Sequence, residues 1–327
     1  MSDAAKTASP AKAQQQQQQQ QPSPASAGAK AGDPTKAAPP SAEDAAAQQQ
    51  QPGVEAVMST APVVIHEDYK GSGKMAGMVA FVTGGDSGIG RSVLVHFARE
   101  GADCAFLYGS GREDDDARDT EAAIKAEGRK CLVFKGDAAD PAAVGDALAK
   151  TIHQLGRLDV VVGNAGEQHQ RASEWPDIDL DSVRQTIETN AFGYLLLAQA
   201  ACKAGAFKHG GGGSLIFTSS VTAFAGSGSL IDYSGTKGFE VALTRSLAKK
   251  LAPDGVRVNC VAPGPVWTPL IAATFDAKQM EEWGKAPLLG RAAQPCEIAP
   301  AYVLLASRDG SFMTGATLHI NGGQHMA

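Results

Sequence analysis

The sequence predicts a single α/β domain in which one doubly wound, Rossmann-type parallel sheet of about seven strands carries helices on both faces. Three observations predict it. From about residue 75 onward, short apolar runs alternate with longer amphipathic stretches, the pattern of strand and crossover helix that builds a parallel sheet. The first run, VAFVT at 79–83, leads straight into the glycine-rich turn TGGDSGIG. Finally, the polar motifs further along all fall at or just past the end of a strand-like run, where open α/β sheets gather their ligands.

In order, the predicted strands are 79–83 (VAFVT), 104–108 (CAFLY), 131–135 (CLVFK), 158–163 (LDVVVG), 214–218 (SLIFT), 256–261 (VRVNCV) and 317–320 (TLHI). Each is short, apolar and bounded by turn residues. The intervening helices are predicted near 88–100, 115–127, 141–155, 181–207, 233–251 and 296–306. Pro141 and Pro295 stand near two helix starts, where the missing N–H costs nothing. Crossovers between parallel strands are right-handed.

Residues 1–60 differ in kind. Glutamine fills 14–21 and 48–51, and the remainder is mostly Ala, Pro, Ser and Lys. So little bulky apolar surface cannot offset the entropy of ordering, so this stretch reads as a disordered tail, 61–74 as a linker and 75–327 as the folded domain. The chain has 29 Lys+Arg against 35 Asp+Glu, a formal net charge of −6. Without a basic stripe a nucleic-acid partner is not expected. The longest apolar runs fall well short of the roughly 20 residues that cross a bilayer. Five cysteines, Cys104, Cys131, Cys202, Cys260 and Cys296, are spread widely without a C-x-x-C pair, so no metal site is expected and a reducing, cytoplasmic compartment fits. The Ala- and Ser-rich start is also compatible with an organelle transit segment.

Glycines in the turn after the first strand let the backbone approach a diphosphate, whose charge the following helix N-terminus favours. The spacing is T-G-x-x-x-G-x-G, with Gly84, Ser87, Gly88, Ile89 and Gly90 as candidate contacts. In YSGTKG, Tyr233 and Lys237 are four residues apart and share one helical face. An ammonium beside a phenol favours the phenolate and would lower the tyrosine pKa towards working pH. Ser220, thirteen residues upstream, could hydrogen-bond the oxygen at which charge develops. Taken alone, a Tyr-x-x-x-Lys pair is more simply a half-exposed tyrosine beside a solvated lysine.

Taken together, TGGDSGIG, the Asn164-Ala165-Gly166 loop, Asn190, Ser220, YSGTK and PGPVWT resemble the short-chain dehydrogenase/reductase family over about residues 75–325. YKGSGK at 69–74 and the NAGEQHQ loop resemble, more narrowly, its branch of glucose and ribitol dehydrogenase homologues and general-stress oxidoreductases. The resemblance implies an NAD(P)-dependent enzyme that interconverts a carbonyl and an alcohol by hydride transfer. Its substrate would be a sugar, a polyol or a small carbonyl. Tyr233 would be the acid/base, Lys237 its tuning group and a nicotinamide-ribose contact, Ser220 the orienter of the substrate oxygen, and Asn190 the holder of a relay water. The glycine turn would bind the diphosphate, Asp137 and Ala138 the adenine, Asn164, Ala165 and Gly166 the adenine ribose, and Val266 and Thr268 the carboxamide.

The end of the second strand offers Ser110 and Arg112 rather than a carboxylate, which favours NADP over NAD. Glu167, Gln168, His169 and Gln170, with Trp175 soon after, are either polar groups beside an aromatic face of the kind a polyol uses or a plain surface loop, and 267–289 suits a lid. A homotetramer is expected from the family pattern. The rival reading is a non-catalytic NAD(P)-binding sensor or scaffold working through its tail. An enzyme is expected to keep its turnover when residues 1–60 are removed.

Overall fold

All five residues of the central strand β1 (Val79–Thr83) are buried, as its unbroken apolar run requires of a strand covered on both faces. The computed structural model describes residues 30–48, 50–170, 175–209 and 212–326. Six further strands complete the sheet: β2 (Asp103–Tyr108), β3 (Cys131–Lys135), β4 (Val160–Gly163), β5 (Gly213–Thr218), β6 (Val256–Pro263) and β7 (Thr317–Ile320). All neighbours are parallel, in the order β3-β2-β1-β4-β5-β6-β7. The order reverses between β1 and β4, which opens a crevice beyond their carboxyl ends.

The main helices are α1 (Gly88–Arg99), α2 (Asp114–Ala126), α3 (Pro141–Leu155), α4 (Leu180–Ile187), α5 (Gly193–Ala204), α6 (Ile231–Leu251) and α7 (Pro295–Ala306). Alternate strand residues divide the core. Ala80, Val82, Phe106 and Val162 meet α1, α2 and α7; Phe81, Leu107, Val161 and Phe217 meet α3, α5 and α6. Strand positions agree with expectation to within two residues. The helix expected at 181–207 is instead broken by a π-turn over Glu188–Phe192. Asn190 explains the break: its fully buried side chain turns inward and binds both backbone groups of Glu167, and such bulges aim a side chain that a regular helix would not.

A larger departure concerns the tail and linker. The expectation for residues 1–29 and 49 lies outside the described residues, but residues 30–48 and 50–74 are built into the domain. Ala31–Gly32 pairs in parallel with Ile65–His66. Ser41 caps a short helix, Ala42–Ala47, and its Asp44 accepts the backbone N–H groups of Ser59 and Thr60 at 2.6 and 3.0 Å. Ala45 and Met58 pack with Trp267, Ile271, Ala272 and Met280, while Val64 and Ile65 are fully buried with Val95 and Ala123. Glutamine-rich composition hid a few well-spaced apolar anchors, and the partners of Ala45 and Met58 lie some two hundred residues away.

Buried in α1, His96 gives a pH signature. Its Nδ1 lies 2.7 Å from the Ser92 carbonyl, Nε2 has no partner, and Tyr69 packs edge-on against the ring. Burial pushes its pKa down to about 4. The folded state therefore binds fewer protons than the unfolded state, so this contribution is intact above about pH 6.5 and is lost as pH falls towards 4. Burial acts with the opposite sign on Asp116, raised to about 6, so the comparison must be with a variant. We expect His96→Phe, which keeps an apolar ring, to lose up to about 3 kcal/mol less stability than the parent across that window. Denaturant titrations at several pH values check this.

Candidate active site

Two glycines of the turn have a clear reason in the backbone. Gly84 has φ of +63°, favourable only without a β-carbon. A Cβ on Gly90, one turn into α1, would stand 1.9 Å from the Gly84 carbonyl oxygen. Asn164, beyond β4, donates to that same carbonyl at 2.9 Å and accepts from Thr218 Oγ1 at 3.3 Å. The ends of β1, β4 and β5 are thereby stitched around one opening.

The opening is a crevice of about 650 Å³. It is lined by Gly84, Ser87, Gly88, Ile89, Ser110, Asp137, Ala138, Asn164, Ala165, Gly166, Ser220, Tyr233, Lys237, Val266 and Thr268. Of the expected substrate loop, Gln168, Gln170 and Trp175 are not on its wall, and three further expected site residues lie off it. Gly90 supports the turn from behind. Asn190 is buried beneath the 167 loop, its amide also donating to Thr236 Oγ1 at 3.3 Å, so it braces that loop rather than facing the crevice. Arg112 stays at the rim, its guanidinium 3.5 Å from the carbonyl of Gln51.

At the inner end α6 presents Tyr233 and Lys237, both almost fully buried. Lys237 Nζ donates to the Thr218 carbonyl and to Glu240 Oε1, each at 2.8 Å. It lies 5.4 Å from the Tyr233 ring and 5.2 Å from that of Tyr194. Burial pushes the Tyr233 phenol up; Lys237 pulls it down, Glu240 pushes it up, and a hydrogen bond with Ser220 pulls it down. The net displacement is upward, opposite to the sequence expectation, because desolvation of the phenolate outweighs one partly neutralised ammonium. For Lys237, burial works against the charge, but Glu240 and Tyr233 outweigh it and hold the pKa above its ordinary value.

Sequence reasoning missed the crevice wall formed by Gln50–Gly53. Gln51 Nε2 donates to the carbonyls of Leu270 and Gln168 and to Thr274 Oγ1, at 3.0–3.3 Å. Glu55 follows: one carboxylate oxygen accepts from Gly88 N at 2.8 Å and the other from Arg91 at 2.6 Å. Asp116 accepts from the backbone N–H groups of Glu55 and Ala56. The signal was present as Pro-Gly-Val-Glu directly after the second glutamine run, with Val54 and Met58 four apart.

The residues fit a dinucleotide: a glycine cradle that a β-carbon would fill, a helix N-terminus, and Ser110 on the crevice wall at the second strand's end. Among the described residues no cluster of three or more His, Cys, Asp or Glu could hold a metal ion, and no helix is long and apolar enough to cross a membrane.

This fold and crevice define an NAD(P)-dependent oxidoreductase, an enzyme class that the comparisons make specific. The family model described as enoyl-(acyl carrier protein) reductase matches residues 84–325. General stress protein 39 of Bacillus subtilis is 46% identical over 273 residues, 84% of this chain and 93% of the relative. The glucose and ribitol dehydrogenase homolog of Oryza sativa subsp. japonica is 44% identical over 284 residues, 84% and 94% of the two chains. A blue fluorescent protein from a metagenomic library, solved in complex with NADPH, superposes with a TM-score of 0.71 at 33% identity over 77% of this chain and 100% of its own. The chain belongs to the short-chain dehydrogenase/reductase family.

Proposed function

We propose that the protein reduces a carbonyl, or oxidises the matching alcohol, with Tyr233 as the acid/base, and that it prefers NADP(H). The observation that carries this reading is the convergence of Ser220, Tyr233 and Lys237 at the inner end of the glycine crevice. A bound nicotinamide supplies or takes up the hydride. Tyr233 gives a proton to the substrate oxygen or takes one from it, Ser220 orients that oxygen, and Lys237 governs the charge felt by the phenol. Thr218, through its carbonyl, fixes the ammonium in place.

Cofactor preference rests on Ser110, which lines the crevice where the second strand ends without a carboxylate, and on the NADPH-bound neighbour. Glu113 also lines the crevice, but its carboxylate is engaged by Ser110 N at 2.8 Å. Glu167, His169 and Gln185 give the substrate end a polar wall, which supports a sugar, polyol or small polar carbonyl. Exposed Ile187, Phe192, Leu195 and Phe239 on α4, the π-turn, α5 and α6 support a homotetramer built on those helices.

Sugars, polyols and small aldehydes assayed with NADP(H) and NAD(H), by the absorbance of the reduced nicotinamide, test the reading. Turnover with NADP(H) at least about tenfold more efficient than with NAD(H) is expected. Tight cofactor binding without turnover on any of them would favour the scaffold.

A further inference from the structure

One charged side chain in the interior has no place in the reaction as described. Glu240 lies one turn beyond Lys237 on α6, fully buried, with Oε1 at 2.8 Å from Lys237 Nζ and Oε2 without any partner. Stability does not account for it, since burying a carboxylate with one oxygen unsatisfied costs more than an apolar side chain of the same size. Its surroundings are otherwise uncharged. The titratable groups facing it are Lys237 and Tyr233 on its own helix, Tyr194 on α5, Cys260 on β6 and Tyr302 on α7. Lys237 is the sole cation among them.

We propose that Glu240 is a positioning residue for the acid/base: it pins the Lys237 ammonium against the Thr218 carbonyl and, by offsetting that charge, sets how readily Tyr233 gives up its proton. Three groups in sequence, Glu240, Lys237 and Tyr233, thus form one electrostatic unit along two turns of α6. An ammonium that has only a phenol and a carbonyl for neighbours stabilises the phenolate fully, whereas one shared with a carboxylate stabilises it less. The phenol would then keep its proton to higher pH, which favours its use as an acid, the direction of carbonyl reduction. Burial also pushes the Glu240 carboxyl up, to about 8, against the pull of Lys237, so the extent of the offset itself depends on pH near neutrality. This inference rests on the acid/base reading of Tyr233 given above.

The test is a direct titration of the tyrosine, which needs no substrate. Near-ultraviolet tyrosinate absorbance is recorded against pH for the full chain with NADPH, and the same spectrum of Tyr233→Phe is subtracted to isolate Tyr233. The measurement is repeated in Glu240→Gln and Glu240→Asp backgrounds, with NADPH binding as the check of folding. Removing the charge in Glu240→Gln is expected to lower the midpoint by about one to two pH units; Glu240→Asp, which withdraws it by one methylene, lowers it less. A midpoint that stays or rises in whichever variant binds NADPH overturns the proposal. The acid/base reading fails separately, if Tyr233→Phe turns over normally, and that result would leave the Tyr233 midpoints untouched.

Discussion

Tyr233→Phe is expected to lower kcat by about 10² to 10⁴-fold, the usual range for loss of a positioned acid or base, while the affinity for NADPH stays within a few-fold of the parent. On the proposed reading the phenol oxygen is the proton-transfer atom, whereas the ring is packing: Tyr233 is 8% exposed and its ring lies beside Lys237. Phenylalanine keeps that packing and deletes only the oxygen. The split is what discriminates. A cofactor affinity that fell as far as kcat would mean the substitution had disturbed the crevice, and an unchanged kcat would remove Tyr233 from the chemistry. Steady-state rates with the best substrate, alongside NADPH titration by fluorescence, read both quantities.

The second large effect concerns residues 30–60. A chain beginning at Lys30 keeps every contact described here, whereas one beginning after Thr60 loses Glu55, the partner of Arg91, along with two backbone donors to Asp116. Both side chains are almost fully buried. Stripping one member from a buried ionic network costs about 3–5 kcal/mol, and uncovering Trp267 and Ile271 adds to this. A fall in melting temperature of about 10 °C or more is expected. NADPH binding should weaken too, since Gln51 no longer ties the crevice wall to Leu270 and Thr274. Differential scanning fluorimetry of the two truncations, with and without NADPH, decides. Equal melting temperatures would show that the arm is dispensable, as the composition alone had suggested.

What could be read in advance was whatever depends on local order along the chain. The strands were visible because a parallel sheet buried on both faces needs unbroken apolar runs, as in VAFVT, and the turn because only glycine fits where the Gly84 backbone has positive φ and where Gly90 touches the Gly84 carbonyl. Tyr233 and Lys237 were visible because a helix places residues four apart on one face. Arg112 shows the limit: its distance along the chain from the second strand said nothing about which way a loop would turn it. Asn190 shows it again, since a π-turn rotated that side chain towards the Glu167 backbone.

Sequence order alone therefore determined the sheet, the dinucleotide turn and the identity of the catalytic candidates, because each is encoded by spacing within one element or across one turn. Tertiary structure decided two further things: that residues 30–60 brace the crevice, and that Glu240 shares the Lys237 charge. Both depend on desolvation and on contacts between distant or buried groups. Glu55 meets Arg91 only once the arm has crossed the turn, and Glu240 influences the phenol only because the packed interior excludes the water that would otherwise screen it.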